Sequence, residues 1–244
     1  MNTNVSNKQI NRLAIPAIIA GVSEPILSLT DAAIVGHMPL NATVSLAAVG
    51  IVSSFLSMLI WVLGQSRSAI SSIISQYLGA NKLKEVKSLP AQAIAIILML
   101  SVLICAATIP FSEAIFKFYN ASGVLLDYSV EYYKIRIIGF PFTLYTFAVF
   151  GVFRGLQNTY YPMVIAIIGT AINIALDLVL VYGITNVIAP MNLKGAALAS
   201  VLSQALMAVM ATALVLKNTP ITLKIKGPVN LSLIHISEPT RLAT

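Results

Sequence analysis

An all-α integral membrane protein, built as a bundle of six transmembrane helices, is the fold class this sequence predicts. Three observations predict it. Of 244 residues, 58% are apolar and only 9% charged, against roughly 25% charged in soluble domains. Mean hydropathy is +0.89. Charge-free stretches recur at residues 32–66, 88–112, 137–153, 155–176, 178–193 and 195–216, and a charge at the centre of a bilayer is costly. A span needs about 20 residues, so six leave room for short loops but for no sizeable extramembrane domain.

Fitting bilayer-length helices to these stretches predicts spans near 13–36, 44–64, 90–112, 128–153, 161–183 and 195–216. The first follows Lys8 and Arg12. Its apolar segment, Leu13 to Met38, is longer than the core of about 7–15 residues of a secretory signal, so it is read as a span that is retained. Turn-forming residues separate each span from the next: Pro39 with Asn41, Gly79-Ala80-Asn81, Asn120 to Gly123, Asn158 with Pro162, and Pro190.

The net charge of +7 is spread between apolar runs rather than gathered on one face, which argues against nucleic acid as a partner and for a lipid bilayer. With loops assigned to alternate sides, one side carries Lys8, Arg12, Arg67, Lys82, Lys84, Lys87, Arg154, Lys217, Lys224 and Lys226. The other carries Lys117 and Lys194, with Lys134 and Arg136 at the start of the fourth span. The positive-inside bias then predicts a multi-pass protein of the inner (cytoplasmic) membrane with both termini cytoplasmic. An even number of spans means that a second copy of this unit would be a parallel repeat, not an inverted one. The single cysteine, Cys105, excludes a disulfide framework or a cysteine-based zinc site.

Four polar residues interrupt the apolar helices and need a partner, a proton or a water-filled cavity: Glu24, Asp31, Asn173 and Asp177. Glu24 and Asp31 are seven residues apart on one face of the first span, about 10 Å along its axis. Asn173 and Asp177, four apart, share a face of the fifth. Asp31 and Asp177 lie at nearly equal depth, and burial and a nearby carboxylate both penalise charge, which suits the pair to taking up and releasing a proton in exchange for a cation. Asn173 is expected to donate to Asp177 or a neighbour, whereas Glu24 has Ser23 or Ser28 at hand. Pro16 removes a backbone hydrogen bond early in the first span and marks a bend. Glu131 and Lys134 are spaced for an intrahelical pair. Together with Asp127 and Arg136 they read as an interfacial cluster, with Tyr132 and Tyr133 as belt anchors. His37 reads as a loop residue.

Several segments, in order, resemble the amino-terminal lobe of the multidrug and toxic compound extrusion (MATE) family, most closely its DNA-damage-inducible protein F-like branch. They are Leu13-Ala14-Ile15-Pro16, Ser23-Glu24-Pro25 and Thr30-Asp31-Ala32-Ala33-Ile34-Val35-Gly36-His37 in the first span, and Ser75-Gln76-Tyr77-Leu78-Gly79-Ala80 after the second. Phe153-Arg154-Gly155-Leu156-Gln157-Asn158-Thr159 with Tyr161-Pro162-Met163, then Asn173 with Asp177, Gly183, and Lys194 to Ala199 complete the match, although Asn158 and Tyr160 replace an acid and a base of the family pattern. The resemblance covers residues 8–230. It implies twelve spans in two six-helix lobes around a central cavity, and secondary antiport of small organic cations (drugs) for H⁺ or Na⁺, with no cofactor, no resident metal and no enzymatic activity. It places the coupling site at Asp31, Asn173 and Asp177, with Pro16 at a bend that responds to protonation, and makes the carboxy-terminal lobe a partner of this one.

The domain reading is a six-span lobe over 1–216, the start of a cytoplasmic inter-lobe linker over 217–230, and a non-native tail over 231–244, because residues 231–241 resemble a translated sequencing adapter. Three other readings compete. An intramembrane aspartyl protease would also use two facing acids, but no Tyr-Asp pair or Gly-x-Gly-Asp segment occurs. A lipid-linked precursor flippase of the same wider superfamily would place more basic residues inside the spans than Arg136 alone. Finally, half of a two-lobed cavity would be a non-functional fragment.

Overall fold

The computed structural model describes residues 6–83, 88–221 and 223. Six helical segments in it are long and apolar enough to cross a bilayer: Ile10–Gly36, Ala42–Gly79, Leu89–Thr108, Gly123–Gly155, Tyr160–Tyr182 and Asn192–Asn218. The chain is therefore an all-α, multi-pass membrane protein. No strand of a sheet occurs among the described residues; an isolated bridge joins Ile184 and Ile188. The segment 231–244 lies outside the described residues.

The first span is α1 (Asn7–Gly36). The second is α2 (Ala42–Gly64) continued, after Gln65, by α3 (Ser66–Gly79), some fifteen residues beyond the expected end at 64. Next come α4 (Leu89–Thr108) and the short connecting α5 (Ser112–Phe118). The fourth span is α6 (Gly123–Arg136) and α7 (Phe140–Gly155), joined by a 3₁₀ turn over Ile137–Gly139. The last two spans are α8 (Tyr160–Tyr182) and α9 (Asn192–Asn218). The break in the fourth span has a covalent cause. Pro141 has no N–H to give the Ile137 carbonyl four residues back, and that oxygen accepts instead from Phe140 N–H, closing the 3₁₀ turn, with the Cys105 thiol 3.5 Å away.

The expected turns form where asparagine tolerates left-handed backbone: Asn41, Asn81 and Asn120 have φ of 53°, 57° and 59°. Asn158 works differently, through Oδ1, which accepts from Tyr160 N at 3.1 Å and so helps cap α8. Gly183 ends α8 at φ 76°, with the backbone of Ile188 and Pro190 where a side chain would stand.

The buried apolar residues form two clusters. One, including Phe55, Phe116, Tyr133, Phe140 and Leu144, occupies the end of the bundle at which α1 and α8 finish. The other, including Ile74, Ile94, Phe153, Ile165 and Val215, occupies the opposite end, where the chain enters. Lipid is as apolar as the helix faces, so close approach of backbones and interhelical hydrogen bonds must hold such a bundle together. Glycines supply the approach. Gly151 and Gly155 of α7 lie against the α3 backbone at Arg67 and Ser71, and Gly195 of α9 lies against Leu180 of α8. In contrast, α1 leaves Ile15, Ile18, Val22, Ile26 and Leu29 exposed.

Side-chain bonds pin α1 to α8 at both ends. Thr159 Oγ1 donates to Leu13 O at 2.9 Å, and Tyr182 Oη to Ile34 O at 2.9 Å. Such bonds are worth about 0.6 kcal/mol each on average. Thr159→Val and Tyr182→Phe are therefore expected to lower stability only slightly, and to speed hydrogen exchange of the α1 amides nearest the lost bond, read by mass spectrometry.

Candidate functional site

Asn173 and Asp177, one turn apart on α8, are fully buried, and α8 packs between α1 and α9. Asp31 approaches from α1 and is half-buried. The Asn173 amide bridges the two acids. Its nitrogen donates to Asp31 Oδ1 at 2.9 Å and to Asp177 Oδ2 at 3.1 Å, while its oxygen accepts from Ser200 N at 3.3 Å and Ser203 Oγ at 3.2 Å on α9. The opposite orientation would set the amide carbonyl against both carboxyl groups, so the network fixes which way the side chain faces. The two carboxyl groups therefore lie close together, meeting at one amide nitrogen. A direct bond between carboxyl groups needs a proton on one of them. Asp177 Oδ1 is buried without a hydrogen-bond partner, so the cluster retains acceptor capacity beyond the bonds it makes.

The structure thus brings together Asp31, Asn173 and Asp177, and leaves the other two candidates outside. Glu24 is exposed on α1. Ser23, expected as its neighbour, bonds backward to Ile19 O at 3.0 Å, a bond within its own helix. Pro16 lies about 22 Å below Asp31 along α1, in the third turn of a helix that begins at Asn7. Its missing N–H leaves the Arg12 carbonyl without its helical donor.

Three readings of the fourth span are corrected. Glu131 does not pair with Lys134. It reaches Lys194 at the start of α9, 2.8 Å away, because α6 and α9 pack side by side. Tyr132 and Tyr133 are buried rather than set in an interfacial belt. Packed between α2 and α9, α6 has two inward faces, and Tyr133 meets Phe116 edge to face and donates to Thr108 Oγ1 at 2.6 Å. Arg136 is not interfacial either: its Nη1 donates to Gln204 Oε1 at 3.1 Å. Ser200, Ser203 and Gln204 were not among the expected site residues, yet their i, i+3, i+4 spacing is a polar stripe in an apolar helix, the pattern by which they were findable.

Outside the spans, the exposed Glu113 carboxyl is held below its ordinary range by a hydrogen bond from Lys117 at 2.6 Å. Any stability this adds is present above the ordinary glutamate value and lost as the pH falls through the depressed one. Among the described residues, no three histidine, cysteine, aspartate or glutamate side chains are placed to hold a metal ion. A cavity of about 400 Å³ opens where α1 ends, beside the Glu131–Lys194 pair, and no residue of the acid cluster lines it.

Comparison with known proteins agrees with this architecture. The MatE family model matches residues 16–179. The chain is 28% identical over 200 residues to DNA damage-inducible protein F of Escherichia coli, covering 82% of this chain and 42% of that protein. It is 30% identical over 171 residues to multidrug resistance protein MdtK of Edwardsiella ictaluri, covering 70% and 37%. The chain thus spans less than half the length of these relatives. Among solved structures, a MATE protein in the bent conformation superposes with a TM-score of 0.82 at 24% identity, covering 93% of this chain and 50% of that one. The Vibrio cholerae MATE transporter VcmN gives 0.81 at 19%, covering 92% and 49%. The family match spans both arms of the acid cluster, from α1 through Asp177, and the chain belongs to the MatE family of membrane transporters.

Proposed function

We propose that this chain is the amino-terminal lobe of a secondary antiporter that exports small organic cations in exchange for H⁺ or Na⁺ across the cytoplasmic membrane, with both of its ends cytoplasmic. In this reading residues 1–216 form the lobe, 217–230 open a linker to a second lobe, and 231–244 are foreign. One observation carries the reading: two carboxyl groups from different helices, bridged by one buried amide. Hydrocarbon tolerates such groups only where they are paired, neutralised or wetted. A pair that binds a proton or cation in one state and releases it in another supplies the charge change that coupling needs.

The exposed side of the pair is Asp31 and the enclosed side is Asp177. An ion arriving from a cavity beside α1 would reach Asp31 first and be passed to Asp177 within the Asn173 bridge. Pro16 would let α1 bend when that charge changes, far from the site but on the same helix. Names such as multidrug resistance protein MdtK and probable multidrug resistance protein NorM among the relatives support an organic, drug-like cargo. The protease alternative loses its ground because the family transports rather than cleaves.

Proteoliposomes containing the complete gene product test the reading. An acidic lumen is expected to draw a fluorescent organic cation inward, against proton efflux, and a protonophore to release it. If neither a pH gradient nor a Na⁺ gradient moves the cation, the proposal fails.

A further inference from the structure

Arg154 is the penultimate residue of the fourth span, and Arg67 lies at the start of α3, which prolongs the second. The two helices run side by side here, with their levels fixed by glycines. A β-carbon on Gly64 would meet the Phe147 ring at 3.3 Å, one on Gly151 would meet Arg67 O at 2.6 Å, and one on Gly155 would meet Ser71 O at 2.9 Å. Phe147, Gly151 and Arg154 are spaced i, i+4, i+7, so they share the face of α7 that this seam covers. Arg67 Cζ lies 5.0 Å from the centroid of the Phe147 ring. Helical side chains lean toward the start of their own helix, which carries Arg154 back toward the level of Arg67. Among the described residues neither guanidinium is in an ion pair: the pairs that form are Lys117–Glu113 and Lys194–Glu131, at the opposite end of the bundle. Arg154 Nε is buried with no hydrogen-bond partner, and so is Ser66 Oγ, between Gly64 and Arg67. A buried charged donor without an acceptor is costly, and the ring under Arg67 attracts its charge but consumes none of its N–H donors. Both arginines are only half-buried, so a ligand can reach them from outside the bundle.

We propose that Arg67 and Arg154 form a phosphate-binding clamp at the end of the bundle where the chain enters, the cytoplasmic end in the topology above. The clamp is independent of which ion the acid pair couples. Two like charges on one seam repel each other, and an anion held between them reverses that balance. Phosphate suits the seam better than a halide, because its several oxygens accept from two planar guanidinium forks at once and one of them can take the buried Nε–H. A phospholipid headgroup and a free phosphate both present these oxygens. At the end of a span the headgroup layer is at hand, and basic pockets between helices on this side of a membrane are suited to it.

Thermal unfolding of the purified, delipidated chain in detergent tests the clamp and separates the two sources. The probes are dioleoylphosphatidylglycerol, potassium phosphate, dioleoylglycerol as the same acyl chains without phosphate, and KCl at matched ionic strength. A saturable rise in melting temperature is expected with the phospholipid or with phosphate, and none with dioleoylglycerol or KCl. A response to the phospholipid alone assigns the headgroup, and a response to phosphate assigns the free anion. Arg67→Gln and Arg154→Gln are each expected to raise the half-saturating concentration at least about tenfold. Arg12→Gln, an exposed arginine of the same end, is expected to leave it unchanged. No response of the wild type to either phosphate source overturns the proposal. So does an unchanged response in a folded Arg67→Gln or Arg154→Gln protein, or an equal loss in Arg12→Gln, which would mean diffuse attraction to a basic surface. If both glutamine variants fail to fold, Phe147→Leu, which removes the ring beneath Arg67, is expected to weaken the response in the same direction, and no change there overturns it.

Discussion

Asp177→Asn is expected to reduce ion-driven efflux by the complete transporter to the level of empty vesicles, with Asp31→Asn as its equal. The substitution preserves shape. An asparagine at 177 still fits the fully buried site, with its amide oxygen in the place of Oδ2, where it can accept from the Asn173 nitrogen. It removes only the ability to change charge. Coupling requires a group whose charge differs between two states of the cycle, and an amide has the same charge in both. The melting temperature is therefore expected to hold or to rise slightly, because two like-charged groups in a dry environment oppose each other. Downhill leakage of cargo can survive while uphill transport is lost. Gradient-driven uptake of a fluorescent cation, measured beside the thermal stability of each purified variant, separates the two effects. Wild-type uptake in both variants would remove the acid pair from the mechanism.

The same residues explain what the sequence could and could not disclose. Asp31, Asn173 and Asp177 were legible because lipid makes any polar group inside a span conspicuous, and helical spacing and depth then imply which ones meet. The turns were legible because Asn41, Asn81 and Asn120 carry their backbone preference with them. Arg136 was misread for a physical reason. Near the start of a span an arginine commonly reaches back to the interface. Whether it instead turns inward depends on Gln204, some 68 residues later, and on the space left by Gly139. The pairing of Glu131 with Lys194 was hidden in the same way: an i, i+3 partner on one helix can be read from sequence, but a competitor on another helix depends on which helices are neighbours. Glu24 shows the opposite limit. It shares a helix with Asp31, but α1 buries little of its surface, and on the uncovered side Glu24 finds no partner among the described residues.

Gly195→Ala is expected to damage fold and site together, and Gly195→Leu to prevent recovery of folded protein. A β-carbon at 195 would stand 2.5 Å from Leu180 O and 2.6 Å from Leu180 C. Both are backbone atoms of α8 and cannot swing aside, so α9 must retreat. Overpacking of this kind costs about 1–3 kcal/mol for one added carbon and more for a branched side chain. The retreat passes directly to the acid cluster, since Ser200 and Ser203 follow on α9 and Asp177 and Asn173 precede Leu180 on α8. The Ser200 N contact to the Asn173 oxygen is already 3.3 Å, at the long limit for such a bond, and is the first to be lost. Without it the Asn173 amide is less firmly oriented, and the donors that bridge Asp31 and Asp177 loosen with it. Gly50→Ala is the control, because nothing lies within 4 Å of the added carbon and alanine favours the helix. Gly195→Ala is expected to melt several degrees below Gly50→Ala and to lose gradient-driven uptake. Equal melting temperatures would mean that α8 and α9 are not held together by backbone contact at Gly195, and the route from that contact to the site would fall with it.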